Sequence, residues 1–570
     1  MISFRPAGDA GLLIESDAPA AWLASAIVRA RLPGVLDVVP GARTVLVITE
    51  ASLDPDLASR IAELPVTPLN GVEAEPVRIP VVYDGPDLAE VADITGLTVD
   101  EVIRRHAGGS YAVGWLGFSP GFGYLTGLDP VLSQVPRRAT PRPSVPAGSV
   151  AIAAGLAAVY PSASPGGWRI LGRTSLAVWD AGRDPAALLR PGQQVTFSPA
   201  SATSAPAARP SAPAAPTPDA APNPDAAPNP DATPTPDATP IPDTAPTPDG
   251  AAATPDPAAA TPDAGPANPS RHFDPRGNSG RVLEVIRPGP LATVQDLGRV
   301  GLGALAVPPS GAADAGSLIA GNRLVGNEDG AAGLELTLGR GTFRFPDGAV
   351  VAVTGAPAAV SISGSPACLH AAHLVPAGDV VTIGAPVAGL RSYLSVAGGI
   401  AVTPVLGSRS ADLLSGLGGT PLKAGDVLPL GQASDATCAS ASSMATVVPG
   451  RGEIVRLRVI GGPRLDWFDS GALDQLQAAP YTVAAASNRT GLRLEGPLLC
   501  RAGEAELPSE GMVTGSLQVP PDGQPILLLA DRPTTGGYPV IAVVVAADLG
   551  RAAQLRPGDL IRFARLSTPR

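Results

Sequence analysis

Between residues 201 and 270 the chain repeats Pro-x-Pro-Asp with a six-residue period, placing aspartates at 219, 225, 231, 237, 243 and 249 among almost no large apolar side chains. Such a stretch cannot bury enough surface to offset the entropy of ordering it. It is expected to be a disordered, extended tether, rising about 3.1 Å per residue wherever polyproline II prevails. The 570-residue chain is thereby divided into two bodies, residues 1–199 and 280–567, with 200–279 between them. The tether also concentrates charge. Residues 201–270 hold eight aspartates against Arg209, a net of −7 out of the chain's −11. The bodies are close to neutral, and no basic face calls for nucleic acid.

Each body has its own rhythm. In the first, Trp22, Leu23, Ala26, Ile27 and Ala30 recur at helical spacing before Pro33-Gly34. Thr98 and Glu101 form a capping box for a second helix that Gly108 can end. From about Tyr111 the pattern turns to short β runs, so an α+β part over 1–76 is expected to lead into a β-barrel over 77–199. The second body reads as strands between turn clusters, among them 350–355, 392–399, 526–531 and 540–549. A turn of Gly, Asp or Gln, any residue and an aliphatic launches a strand four times, at Gly192, Gly378, Gly425 and Gly558. One long phrase also recurs. "SPGGWRILGRT…LLRPGQQVTF" (164–197) returns as "TTGGYPVIAVV…QLRPGDLIRF" (534–563). The fold class expected is mainly β with α+β portions, built from related barrels, which suit many short strands because closure removes sheet edges.

Several chemistries are excluded by what the chain lacks. No run of about 18 strongly apolar residues is free of Gly, Pro or charge, so no membrane span is expected. The N-terminus shows no basic start before an apolar core, and Cys368, Cys438 and Cys500 form neither a CxxC motif nor an even set. A cytoplasmic setting fits these features. The single lysine, Lys423, rules out a Walker A loop and a Schiff-base enzyme, and it lacks the Met-Lys-Met context of a biotin carrier, so no biotin attachment site is expected. There is no GxSxG elbow. "CLHAAH" (368–373) matches no standard zinc spacing and reads as a surface hairpin. Polar residues instead gather in glycine-rich turns: "TVQDLGRVGLG" (293–303), "SGAAD" (310–314), "SNRTGLRLEG" (487–496) and "DRPTTGGYP" (531–539). Arginine with turn amides can bind phosphate, and nearby aspartate can hold magnesium; the same residues can also simply shape barrel corners.

The runs "GWLGFSPGFGYLTGLDP" (114–130), "RRATPRPSVPAGSVAI" (137–152) and "SPGGWRILGRT" (164–174) resemble the B subunit of bacterial ATP-dependent 5-oxoprolinase. "PGPLATVQDLGRVG" (288–301), "GNRLVGNEDGAAGLE" (321–335), "RSYLSVAGGI" (391–400), "SNRTGLRL" and "DRPTTGGYPV" resemble its C subunit. The two families also include the carboxyltransferase region of urea amidolyase and a sporulation-kinase inhibitor with its antagonist. This resemblance implies cyclophilin-like barrels, ATP and Mg2+ as cofactors, and ATP-driven opening of 5-oxo-L-proline to L-glutamate together with a separate A subunit. It leaves room for a homo-oligomer and implies neither nucleic acid nor membrane as partner. Carboxyl transfer to urea or a related amide is the alternative reading, and a kinase-binding regulator a third. The residues expected to carry catalysis are Asp296, Asp314, Asp531 and Thr535, with Arg299, Arg489, Arg173 and Gly121 binding nucleotide or substrate. The family's Gly-Gln-Thr-Gly-Ile-Tyr-Pro is here Gly155-Leu156-Ala157-Ala158-Val159-Tyr160-Pro161, without the Gln and Thr. Its Gly-Ala-Met-Asp has become Gly311-Ala312-Ala313-Asp314, which keeps the charged member.

Overall fold

The computed structural model describes residues 2–50, 52–68, 76–201, 280–433, 448–450, 452–503 and 507–566. The tether expected over 200–279 lies outside the described residues from position 202 onward, as does Cys438. The chain starts with a four-stranded antiparallel sheet of Ile2–Pro6, Gly11–Ser16, Thr44–Thr49 and Val35–Pro40, in that spatial order. The helix expected from Trp22 runs Ala20–Ala30 and buries Leu23 and Ile27 against the sheet's Ile14, Val45 and Val47. It stops at Arg31, which adopts φ 46, ahead of the Pro-Gly pair.

Seven strands then build the first barrel, in the order Arg169–Arg173, Ser149–Ala153, Leu156–Val159, Gly123–Thr126, Tyr111–Leu116, Gln194–Pro199 and Val77–Val81. Val77–Val81 lies parallel to Gln194–Pro199, and a Val82–Arg173 bridge returns to the opening strand and closes the ring. The capping box forms as read: Thr98 Oγ1 accepts from the Glu101 amide at 3.2 Å and Val99–Ala107 is helical.

The last barrel is closed in the same cyclic order: Val540–Val544, Ser516–Gln518, Ile526–Leu528, Gly491–Glu495, Tyr481–Val483, Leu560–Arg565 and Ile454–Gly461. Here too the first and last strands in sequence are parallel neighbours, Ile454–Gly461 with Leu560–Arg565. The repeated phrase thus spells one piece of architecture twice. Its Gly-Gly start forms a small two-stranded ladder in each barrel, Ser164–Gly166 with Arg142–Val145 and Thr535–Gly536 with Glu510–Gly511. Its Arg-Pro-Gly close launches the final strand. All four glycine turns behave alike: Gly192, Gly378, Gly425 and Gly558 have φ of 83°, 84°, 87° and 89°, and each precedes a strand.

Two expectations are corrected. The run 540–549 is strand only through Val544; Ala546–Ala553 is a helix. The β-branched Val540–Val545 favours a pleated surface, whereas Ala-Ala-Asp-Leu-Gly-Arg-Ala-Ala is rich in helix formers. The middle of the second body, 280–433, is not a third closed ring. Its sheets of six and five strands face one shared core that includes Leu283, Phe343, Val353 and Leu394. Among the described residues no helix is long and apolar enough to cross a membrane.

The two bodies pack on each other. Ala7, Leu13, Val39 and Leu46 of the N-terminal sheet share an apolar seam with Met512, Val513, Leu528, Val540 and Val543 of the last barrel. Polar pins flank it: Ala42 N to Ser509 O at 2.8 Å, Ala546 N to Asp9 Oδ2 at 2.9 Å, and Arg464 to both Glu15 and Glu510 at 2.7 Å. The tether is therefore not what holds the bodies together. Proteolytic cutting between residues 210 and 265 is expected to leave a complex that co-elutes in size-exclusion chromatography at micromolar concentration; separate elution would show that the seam does not hold.

Candidate functional site

A buried polar network joins the middle unit to the last barrel. Arg489 lies in the turn before Gly491–Glu495 and forks onto Asp531, with Nε to Oδ2 and Nη2 to Oδ1 both at 2.9 Å. Its Nη1 reaches Glu335, and Nη2 also donates to Gly311 O at 2.7 Å. Asp531 further accepts from Ser310 Oγ at 2.7 Å and the Leu413 amide at 3.2 Å. Burial works against ionised Glu335, yet Arg489 and Arg391 together hold its carboxyl below the usual range. Asp314 caps helix Ala315–Leu324 through Ser317 and accepts from Gln554 Nε2 at 2.8 Å. Asp296 receives Ser408 Oγ at 2.6 Å, Ser410 Oγ at 2.5 Å, the Arg409 amide at 2.6 Å and the Gly298 amide at 2.8 Å. Arg299 donates to the carbonyls of Val405 and Ser410 at 3.1 and 2.6 Å, and burial lowers its pKa.

Five of the expected site residues, Asp296, Arg299, Asp314, Arg489 and Asp531, are thus brought into one region, as a frame rather than an open centre. They brace the segment 297–313, which threads between the two barrels. Its Ala306 enters the core of the first barrel and its Gly303 amide donates to both oxygens of Asp37 at 3.0 Å, while Ser310 and Gly311 contact the last barrel. These carboxylates do not fit a magnesium site. Their oxygens are taken up by guanidinium, hydroxyl and amide donors, and among the described residues no group of three or more His, Cys, Asp or Glu could hold a metal.

The other three expected residues lie elsewhere. Arg173 is exposed and paired with Asp84 at 2.9 Å. Gly121, at φ 77, tucks under Trp179, whose Cβ would be 2.8 Å from any added methyl, and its amide donates to Leu305 O. Thr535 Oγ1 accepts from the Phe118 amide at 3.0 Å and so ties the last barrel to the mouth of the first.

Around that mouth is a narrow cleft with about 20 Å3 of room, enough for about one water, lined by Phe118, Tyr124, Arg137, Arg138, Tyr160 and Trp168 among others. Phe118 holds φ 66, a left-handed conformation unusual for a bulky residue. Trp115 stacks on Tyr124 at 4.5 Å, and Phe122 meets Tyr124, Tyr160 and Trp168 edge-on at 5.0 to 5.7 Å. Gly166 has no room for a side chain, since a Cβ would lie 2.2 Å from the Tyr160 hydroxyl. Asp87, 2% exposed, anchors the rim: it accepts from Arg138 at 2.9 Å and from Arg142 at 2.7 and 2.9 Å. Burial opposes its charge, but Arg142 and the Ile170 amide outweigh this and keep the carboxyl below its usual range. Leu156, where the family motif has Gln, packs on the aromatic cluster of the cleft, and Ala157 faces the barrel core. The available signal for this cleft was aromatic density: residues 111–168 hold Tyr111, Trp115, Phe118, Phe122, Tyr124, Tyr160 and Trp168, a third of the chain's 21 aromatics.

Two buried carboxyls give the fold a pH signature. Burial pushes Glu510 up to about 7 despite Arg464, and burial with the neighbouring Asp531 charge pushes Asp412 up to about 6. A carboxyl whose folded pKa exceeds its unfolded value contributes stability below the unfolded pKa and loses it as pH rises through the folded one. Melting temperature is expected to fall as pH rises from 5 to 8, with Glu510 accounting for on the order of 3 kcal/mol. Glu510→Gln should flatten that slope; an unchanged slope would remove Glu510 from the account.

Duplicated barrels flank a two-sheet unit, with the N-terminal sheet clamped on the last barrel, and this chain matches the carboxyltransferase class in both bodies. The family model "Carboxyltransferase domain, subdomain C and D" matches residues 2–189, and "Carboxyltransferase domain, subdomain A and B" matches 305–565. The C subunit of 5-oxoprolinase from Escherichia coli K12 is 39% identical over 289 residues, covering 50% of this chain and 92% of that protein. The B subunit of 5-oxoprolinase from Escherichia coli O157:H7 is 43% identical over 174 residues, 30% of this chain and 79% of that protein. The crystal structure of TTHA0988 superposes with a TM-score of 0.74 at 32% identity, covering 99% of this chain and all of the other. The urea amidolyase of Lachancea kluyveri is 35% identical, over 50% of this chain and 17% of its own length. The chain belongs to the carboxyltransferase-domain family that includes the B and C subunits of 5-oxoprolinase, and it joins the two types in one polypeptide.

Proposed function

We propose that this chain is the B–C component of a cytoplasmic, ATP-dependent 5-oxoprolinase that opens 5-oxo-L-proline to L-glutamate with a separate A subunit. The observation that carries the reading is the seam: bodies similar to the B and C subunits pack as one unit, and Thr535 of one is hydrogen-bonded to the mouth of the other. ATP and Mg2+ belong to the proposal as cofactors whose metal ligands come from the partner, because the aspartates of the buried network are already engaged. The chain's own part is to hold the lactam, orient it and exclude water.

A lactam is a poor electrophile, and its opening needs an activated water. This chain offers few bases for that near neutral pH. His106 is fully buried and burial lowers its pKa to about 3, while Lys423 sits in a turn closed by Asp426. The purified chain is therefore expected to show no 5-oxoproline-dependent ADP release until an A subunit is added. The same assay with urea in place of 5-oxoproline separates the lactamase reading from carboxyl transfer; urea-dependent turnover requiring a biotinylated carrier would replace it.

A further inference from the structure

A carboxylate from each body meets one cation at the seam. Arg464 follows Ile454–Gly461 of the last barrel; its Nη2 and Nε donate to Glu510 Oε2 at 2.7 and 2.8 Å, and its Nη1 reaches Glu15 Oε1 of the N-terminal sheet at 2.7 Å. Glu510 is the deeper acid, 1% exposed, whereas the Glu15 side chain is 36% exposed. The second oxygen of Glu510, Oε1, is buried with no hydrogen-bond partner among the described residues. One guanidinium thus serves two anions, and the inner anion is only half satisfied.

Closing the seam is what buries Glu510. A Cβ on its neighbour Gly511 would lie 2.6 Å from Leu46 Cβ and 3.2 Å from Val39 Cβ, and a Cβ on Gly41 would lie 2.9 Å from Glu510 Cα. With the N-terminal sheet withdrawn, Glu510 would keep Arg464, regain water and lose Glu15 as a neighbour. The remaining charges around it are spoken for or exposed. Arg5 pairs with Asp466 at 2.8 Å and stands 3.7 Å from Glu15, and exposed Arg43 lies in the hairpin turn whose Ala42 amide bonds Ser509 O. Asp37, on Val35–Pro40, takes the Gly303 amide. Thr44–Thr49 and Thr535–Gly536 bring no ionisable side chain. Burial, helped by the Glu15 charge, outweighs Arg464 and Arg5 and pushes Glu510 up to about 7.

We propose that the seam is a proton-linked joint: as the two bodies close, Glu510 takes one proton from solution onto Oε1, which leaves Arg464 and Glu15 as a one-to-one ion pair, and acidification tightens the assembly. The sign follows from linkage. A carboxyl whose pKa rises on closure favours the closed form below its open-form value, and that contribution is lost as pH rises through the closed-form value. Nothing in the proposal depends on what the assembly catalyses.

The test uses the full-length chain, folded and then cut in the tether, with the Kd of the two bodies read by light scattering on dilution between pH 5 and 8. Kd is expected to rise by about tenfold per pH unit up to neutrality and then level off, about a hundredfold in all. Glu510→Gln keeps the shape of the neutral acid and should lose at least about tenfold of that rise; Asp37, which burial also raises, carries the remainder. Glu15→Gln should give a smaller rise than the parent, and the remote, exposed Glu284→Gln the same rise. A parent Kd that changes less than about threefold, or a Glu510→Gln protein that keeps the parent's rise, would overturn the joint. If Glu510→Gln does not fold, Glu15→Gln decides, because it leaves the last barrel untouched; a rise equal to the parent's then overturns the proposal. A melting slope that depends on Glu510 while dissociation does not would also overturn it, placing the proton in the fold of the last barrel alone.

Discussion

Arg489→Met is expected to destabilise the chain by about 3–5 kcal/mol, because it strands Asp531 without its cation and leaves Glu335 to Arg391 alone, both carboxylates being at most 1% exposed. The loss is larger than for an exposed pair, since neither carboxylate can turn to water. A double variant, Arg489→Met with Asp531→Asn, should recover part of the loss, as removing both partners leaves less uncompensated charge. Urea unfolding measures it. A change under about 1 kcal/mol would mean that the network contributes little and that its residues are free for chemistry. The same logic governs activity: loss in Asp296→Asn or Asp531→Asn variants should track their loss of stability.

Val543→Asp should open the seam. Val543 is 2% exposed and packs so closely on the N-terminal sheet that a Cβ on Gly8 would lie 2.8 Å from its Cγ1. A carboxylate there would be surrounded by Leu13, Val39, Leu46 and the other apolar members of the seam, none of which can pair with its charge. A cost of about 4 kcal/mol corresponds to about a thousandfold weaker association. In a tether-cut sample the variant should elute as two separate bodies, whereas the parent should elute as one. Co-elution of the cut variant would show that the polar pins, not the apolar surface, hold the halves.

The sequence disclosed local structure well wherever one residue type has one physical job. Glycine before Asp or Gln marked a left-handed turn four times, and Thr98 with Glu101 marked a helix start. The duplicated phrase disclosed the duplicated barrel because both copies keep the turn residues that set the ends of equivalent strands. Pairing between distant charges was not legible. Arg489 and Asp531 are 42 residues apart and Glu335 is 154 from Arg489, so composition offered catalytic and structural readings alike until the fold closed the contacts. The cleft was missed for the opposite reason. Its walls are aromatics that also read as core, and only the fold shows which of them meet at the barrel mouth.

The central proposal is that this chain is the B–C component of a lactam-opening enzyme, and the most direct measurement is glutamate formed per ADP released when it is mixed with 5-oxo-L-proline, ATP and the A subunit. One glutamate per ADP is predicted, with neither produced when either protein is omitted. Glutamate from this chain alone, or ADP release without glutamate in the full mixture, would contradict it.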